Sequence, residues 1–240
     1  MGRRVRHLSE SLSESFGVLQ GAMLGVVGLI LAFGLSLALS RYEDRREAIV
    51  TEANAIGVSF LRAQTIEEPG RSDSIDLLRG YVDSAVRFSN DIPGSLQATA
   101  AEDEEDEVQR ELWRRAADAV EAGPEASAPR LYLESLNVMI DAQNSRVAAL
   151  TNQVPDAVLY LEVLGAAVAL ALLAGYMALV GRGAVAVAFA AFLVASLLYV
   201  TADLDRPTRG LIKVPDTVLV NLQEEMEEAP AAPAPRSPRT

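Results

Sequence analysis

Few residues in this chain have types that could do chemistry, and those that do are mostly carboxylates. The one histidine, His7, lies in a basic amino-terminal stretch with Arg3, Arg4 and Arg6, and there is no cysteine. A Ser-His-Asp triad or a histidine-bound zinc needs a buried imidazole, and thiolate chemistry needs cysteine, so neither has a residue to rest on. Paired acid and base work would need carboxylates in a cleft, and no pattern puts Glu52, Glu134 or Asp141 in one. Asp203 and Asp205 are the nearest approach to a metal pair, but two carboxylates two residues apart are a very weak signal. No Gly-rich phosphate loop, HExxH, GxSxG or nucleotide fingerprint occurs. The chain reads as non-enzymatic, with no catalytic, cofactor-binding or metal-binding residues and no cofactor.

Charge narrows the partners further. The 240 residues hold 21 Lys and Arg against 33 Asp and Glu, a net charge of −12, which disfavours nucleic acid or any other polyanion. Six consecutive acids, Glu102 to Glu107, have two readings. One is a site for a cation or a basic partner; the blander and preferred one is a solvated start of a helix, where acids suit the positive end of the dipole.

The elements that position these residues follow from segregation of apolar and charged sequence. Half of the chain is hydrophobic and 22% is charged, an average that suits neither a soluble domain nor a wholly membrane-bound chain. Ser15 to Ser40 are 26 uncharged residues, Val163 to Gly181 are 19 and Gly183 to Ala202 are 20, with Arg182 alone between the last two. At 1.5 Å per residue each of these can cross a hydrocarbon core of about 30 Å, the last two as a tight hairpin. The arginines before the first run and Ala38-Leu39-Ser40 after it also fit a signal peptide, but the run is about twice the usual length, which favours an uncleaved anchor.

Between the first and second spans the sequence is soluble in composition and carries four helical stripes. These are Ile49, Ala53, Ile56 and Phe60; Ile75, Leu78, Val82 and Val86; Val108, Leu112, Ala116 and Val120; and Leu136, Ile140, Gln143, Val147, Leu150 and Val154. Pro-Gly turns separate them, which suits short antiparallel connections. The expected fold is all-α: three transmembrane helices with a four-helix antiparallel soluble bundle inserted between the first and second. The expected divisions are a basic tail at 1–14, a first span at 15–40, the helical domain at 41–155, a second span at 157–181 and a third at 183–202. A juxtamembrane segment at 203–228 follows, with a short amphipathic helix on which Val218, Leu222 and Met226 share a face. A Pro/Ala-rich tail at 229–240, too poor in apolar residues to bury a core, completes the chain.

Three spans leave the helical domain and the carboxyl terminus on one side of the membrane. Arg41, Arg45, Arg46, Arg146, Arg206, Arg209 and Lys213 lie on that side, against Arg3, Arg4, Arg6 and Arg182 on the other. The bias leans towards a cytoplasmic domain in a plasma-membrane protein. Gly17, Gly21 and Gly25 recur every four residues in the first span, with Gly28 beyond, so another helix can approach to backbone contact. That approach serves either packing of the chain's own spans or a homo-oligomeric seam. Glu162, near the start of the second apolar run, reads as an acid at the interface in preference to a pathway residue.

With these pieces in place the order of motifs resembles a family of bacterial integral membrane proteins of unknown function labelled bestrophin-like. The resemblance runs from about residue 20 to 222 and rests on Leu39-Ser-Arg-Tyr-Glu-Asp-Arg-Arg46, Glu52-Ala-Asn-Ala-Ile-Gly57, Phe60-Leu-Arg-Ala63 and Leu78-Arg-Gly-Tyr-Val82. It continues through Trp113, Ser135 to Asp141, Arg146-Val-Ala-Ala149, Val154-Pro155 and Asp203-Leu-Asp-Arg-Pro-x-x-Gly210. The family label points by analogy to bestrophins, which are oligomeric anion channels. It implies a multi-pass protein in the lipid bilayer that forms a homo-oligomeric channel or transport-like assembly. The alternative is a membrane-anchored interaction or signalling scaffold that uses the helical domain.

One set of charges is expected to be structural. Arg41, Arg45 and Arg46 leave the first span on the side where Asp203, Asp205 and Arg206 leave the third, so they can form a charge collar at the interface. Partly desolvated pairs there gain more than the roughly 0 to 1 kcal/mol of an exposed pair. A double-mutant cycle of Asp205→Asn and Arg45→Gln, read as thermal stability in detergent, is expected to be non-additive by about 0.5–3 kcal/mol. Additive effects would mean that the two charges do not interact.

Overall fold

The structure is a computed structural model. It describes the backbone of residues 2–180, 183–206 and 210–229, and the side chains of 17–178, 183–206 and 210–229. Among these residues all regular structure is helical. The order is α1 (Gly2–Ala63), α2 (Gly70–Asn90), α3 (Leu96–Ala122), α4 (Ser127–Thr151), α5 (Asp156–Val180), α6 (Ala184–Leu204) and α7 (Thr217–Glu228). Three stretches are long and apolar enough to cross a membrane, in Gly17–Ala63, Ser127–Ala178 and Ala184–Leu204. The second includes α4, but Arg130, Glu134, Asp141 and Arg146 belong to α4, so its apolar part is α5. The basic tail, Arg182, Arg209 and the Pro/Ala-rich tail beyond Ala229 lie outside the residues whose side chains are described.

The chain divides into two compact units, and α1 contributes to both. One takes the residues up to Tyr42, Gln153–Arg206 and Gly210–Ile212; the other takes Glu43–Asn152 and the segment from Lys213. In the first unit Val27 and Leu31 of α1 are buried with Ala166 and Ala169 of α5, and Leu24 and Val194, Leu197 and Leu198 of α6 pack against them. Ala38, Val154 and Leu204 form a second small apolar layer with Leu35, Val158 and Leu159. Small residues meet large ones here, which lets helices approach closely where no water drives them together.

The second unit has a conventional core. Ile49, Ile56 and Phe60 of α1 are buried with Leu78, Tyr81 and Val82 of α2, Leu112 and Ala116 of α3, Tyr132, Leu136 and Met139 of α4, and Leu219 and Met226 of α7.

Three local expectations are corrected. The acidic run does not open α3: Ser95 does, its hydroxyl accepting from Ala98 N–H at 3.1 Å, so the acids fall in the second and third turns. On α4 Met139 takes the fully buried position and Ile140 is half-buried, because the inward stripe includes Ser135 and Ala142. On α7 Leu219, not Val218, faces the core; Val218 is 39% exposed, about 100° away around the helix. Arg79 fixes the far end of α7 by donating from Nε and Nη2 to the carbonyl of Met226, at 3.1 and 3.0 Å.

Candidate functional site

The most developed polar assembly is inside the second unit. Arg146 on α4 is wholly buried. Its Nη2 donates to both oxygens of Glu105 on α3, at 2.8 and 2.9 Å, and its Nη1 to the Ala85 carbonyl and the Ser89 hydroxyl on α2, each at 3.0 Å. Its Nε lies 2.5 Å from Glu52 Oε2 on α1, an ion contact not aligned as a hydrogen bond. The guanidinium stacks over Phe88, 4.7 Å from the ring centre. Tyr81 donates to Glu52 Oε1 at 3.1 Å, and Gln109 Nε2 donates to the Tyr81 oxygen at 3.2 Å. Glu52 and Glu105 are as fully buried as the arginine.

Each member is put there by helix periodicity. Ala98, Ala101, Glu105, Gln109, Leu112 and Ala116 are the buried residues of α3, spaced three or four apart. Glu105 thus belongs to an inward stripe that happens to cross the acidic run. A reading of the run as one solvated face misses this, although the phase of Leu112 and Ala116 contains the information. Gln109 reaches outward too, lining a cleft of about 320 Å³ with Asp106, Arg110, Trp113 and Ile140.

Several of the expected collar residues have local contacts. Arg45 is fully buried and donates from Nε to the Ala149 carbonyl at 3.2 Å and from Nη2 to that of Asn152 at 2.9 Å, satisfying the carboxyl-terminal end of α4. Arg46 is exposed and lies 3.7 Å from Glu43. Asp205 accepts from Val154 N–H at 2.8 Å. Asp203 accepts from Leu211 N–H at 3.0 Å and from Ile212 N–H at 2.8 Å. Gly210 sits at φ +121, and a Cβ there would overlap the Asp203 carboxylate, so the glycine closes this loop twice over. Arg206 is exposed and Arg41 half-buried.

The first-span glycines divide. A Cβ on Gly17 would rest 3.4 Å from the Tyr176 ring, whereas on Gly21, Gly25 or Gly28 it would meet nothing within 4 Å among the described residues. Glu162, expected to snorkel at the interface, turns inward instead: it is fully buried, and a Cβ on Gly34 would overlap its carboxylate. Among the described residues no group of three or more His, Cys, Asp or Glu is arranged to hold a metal.

The family profile of the Bestrophin-like domain matches residues 3–219. The fold resembles the crystal structure of a bacterial bestrophin homologue from Klebsiella pneumoniae, with a TM-score of 0.70 at 15% identity, covering 93% of this chain and 94% of that one. It also resembles a membrane-protein variant, with a TM-score of 0.73 at 13% identity over 95% and 93% of the two chains. No curated protein matches the sequence.

The electrostatics of the cluster follow from burial. Loss of water pushes Glu52 up to about 7, Arg146 pulling it back and Glu105 adding to the rise. Burial raises Glu105 as well. It also opposes the charge on Arg146, but Glu52 and Glu105 outweigh that and hold the guanidinium protonated. Two acids thus share one base, and the cluster gains from keeping one proton. The folded state binds this proton more tightly than the unfolded chain, so the stabilisation is complete below about 4.5 and fades as pH rises through about 7. Over that window thermal stability is expected to fall by an equivalent of about 3 kcal/mol, and Glu52→Gln to flatten the dependence. Equal slopes in both proteins would contradict the assignment to Glu52.

Proposed function

The chain belongs to the Bestrophin-like family, and from that premise we propose that it is a non-enzymatic plasma-membrane protein that assembles as a homo-oligomer and conducts ions. The observation that carries the reading is the face of Gly21, Gly25 and Gly28, against which the described residues place nothing within 4 Å of a Cβ. Glycines aimed at lipid gain little, whereas against the backbone of a second copy they allow close packing. Of the boundary arginines, Arg46, Arg206 and Arg41 retain exposure and raise anion concentration at the mouth of such an assembly. Arg146 is committed inside the helical domain, and Arg45 is buried beside the end of α4.

In this reading the soluble part is a four-helix antiparallel bundle of the second half of α1 with α2, α3 and α4, with α7 laid on it. The collar of Arg41, Arg45, Arg46, Asp203, Asp205 and Arg206 locks the third span to the first. The domain and the carboxyl terminus are cytoplasmic; the seven-to-four excess of arginine and lysine acts while the chain inserts, before Arg45 and Arg146 turn inward. The scaffold alternative loses ground, since Glu105 of the acidic run is spent on Arg146.

Subunit number in detergent and ion flux from liposomes test the assembly together. The expected result is an oligomer that releases trapped ions, with Gly21→Leu plus Gly25→Leu losing both properties. A monomer, or an oligomer without flux, would contradict it. Reporter fusions at Gly94 and Thr240 are expected to read cytoplasm, and periplasmic signals from both would invert the topology.

A further inference from the structure

Glu162 is out of place where the structure puts it. It is six residues into α5, about 9 Å from Asp156, and Gly34 is seven residues before Arg41, about 10 Å. By register along both helices it falls between the layer of Leu31 and Ala166 and that of Ala38 and Val158. It is 0% exposed, and neither carboxylate oxygen has a hydrogen-bond partner among the described residues. Gly34 makes the space: any side chain there would collide with the carboxylate.

The surroundings offer no counter-charge. From Gly17 to Ser40, α1 holds no titratable side chain. The titratable groups of α6 before Asp203 and of the rest of α5 are Tyr199, Tyr160 and Tyr176, with Asp156 at the start of α5. Tyr199 and Tyr160 are 56% and 74% exposed, and Tyr176 is at the Gly17 end of the helix. The Thr201 hydroxyl is committed to the Leu197 carbonyl at 3.0 Å. An ionised carboxylate left alone in such a place is too costly to persist. Divalent ions are a poor match, since a single carboxylate leaves one of their two charges uncompensated away from water.

We propose that Glu162, seated against Gly34, is a binding site for one small positive charge, a proton or a sodium-sized monovalent cation, within the membrane-embedded helices. Both ligands share one chemistry, neutralisation of a single carboxylate. Loading the site lets α1 and α5 close at Gly34; unloading drives the carboxylate out of the notch. The proposal does not rest on ion conduction, and its test needs no flux.

The test uses the full chain in phosphatidylcholine–phosphatidylglycerol vesicles and the apolar reagent dicyclohexylcarbodiimide. The acid proton passes to a carbodiimide nitrogen, the carboxylate oxygen bonds to the central carbon, and the acyl group then shifts to nitrogen, leaving a stable N-acylurea with no atom lost. The expected result is one carbodiimide mass on the Glu162 peptide, absent in Glu162→Gln, with labelling slowed as pH rises. Protection of at least about fivefold by sodium chloride over choline chloride identifies a cation site; no sodium effect identifies a proton site. Labelling by a water-soluble carbodiimide instead, or by neither reagent, overturns the proposal. Gly34→Ala is the second probe: the displaced carboxyl is expected to become reactive to the water-soluble reagent, and unchanged labelling would show that Gly34 does not form the seat. Gly34→Ala with Glu162→Ala removes the collision and is expected to recover the thermal midpoint that Gly34→Ala loses.

Discussion

A charge removed from water must be matched on the spot, and in the helical domain that constraint converges on the Arg146 guanidinium. An isolated buried charge costs several kcal/mol even after relaxation. Arg146 avoids the cost by contacts to three other helices at once: Glu52 on α1, Ala85, Ser89 and Phe88 on α2, and Glu105 on α3. Apolar packing among the same helices tolerates small slides; five directed contacts to one planar group do not. The register of these helices therefore depends on one side chain, and the acids that satisfy it leave the cluster sensitive to pH near neutrality.

The same constraint explains other polar residues that looked functional. Arg45 satisfies carbonyls at the end of α4. Asp203 and Asp205 satisfy amides of the segments they close, Leu211 and Ile212 for one and Val154 for the other. A carboxylate pair that resembled a weak metal motif is thus two loop clasps, and its Gly210 follows from the space the Asp203 carboxylate needs. Glu162 stands apart, because nothing described in the chain answers its charge.

Much of the architecture was legible from the sequence because its signals are local. Long uncharged runs mark the spans, and three-to-four spacing marks one face of each soluble helix. The motifs that carried the family resemblance contain Glu52, Tyr81, Arg146, Asp203 and Asp205, yet their roles were not legible. Pairing Arg146 with Glu105 requires knowing that two helices 41 residues apart in sequence meet at that level. The acidic run hid Glu105 among five acids of the same type, and helix phase alone separates it from them. The stripe of Val218, Leu222 and Met226 is legible on α7, but only the neighbouring core shows that Leu219 replaces Val218 on the buried face. Closeness to a helix end suggests an interfacial Glu162, whereas the direction of its side chain depends on a glycine 128 residues earlier.

Either Arg146 organises the helical domain as a matched charge, or apolar packing alone holds it. Thermal unfolding of the detergent-solubilised protein measures this when Arg146→Met is compared with the triple replacement Arg146→Met, Glu52→Gln and Glu105→Gln. The single change strands two buried acids and is expected to cost about 3–5 kcal/mol, while the triple change removes every charge of the cluster and regains most of that loss. Arg146→Met with wild-type stability, or a triple variant no better than the single one, would contradict it.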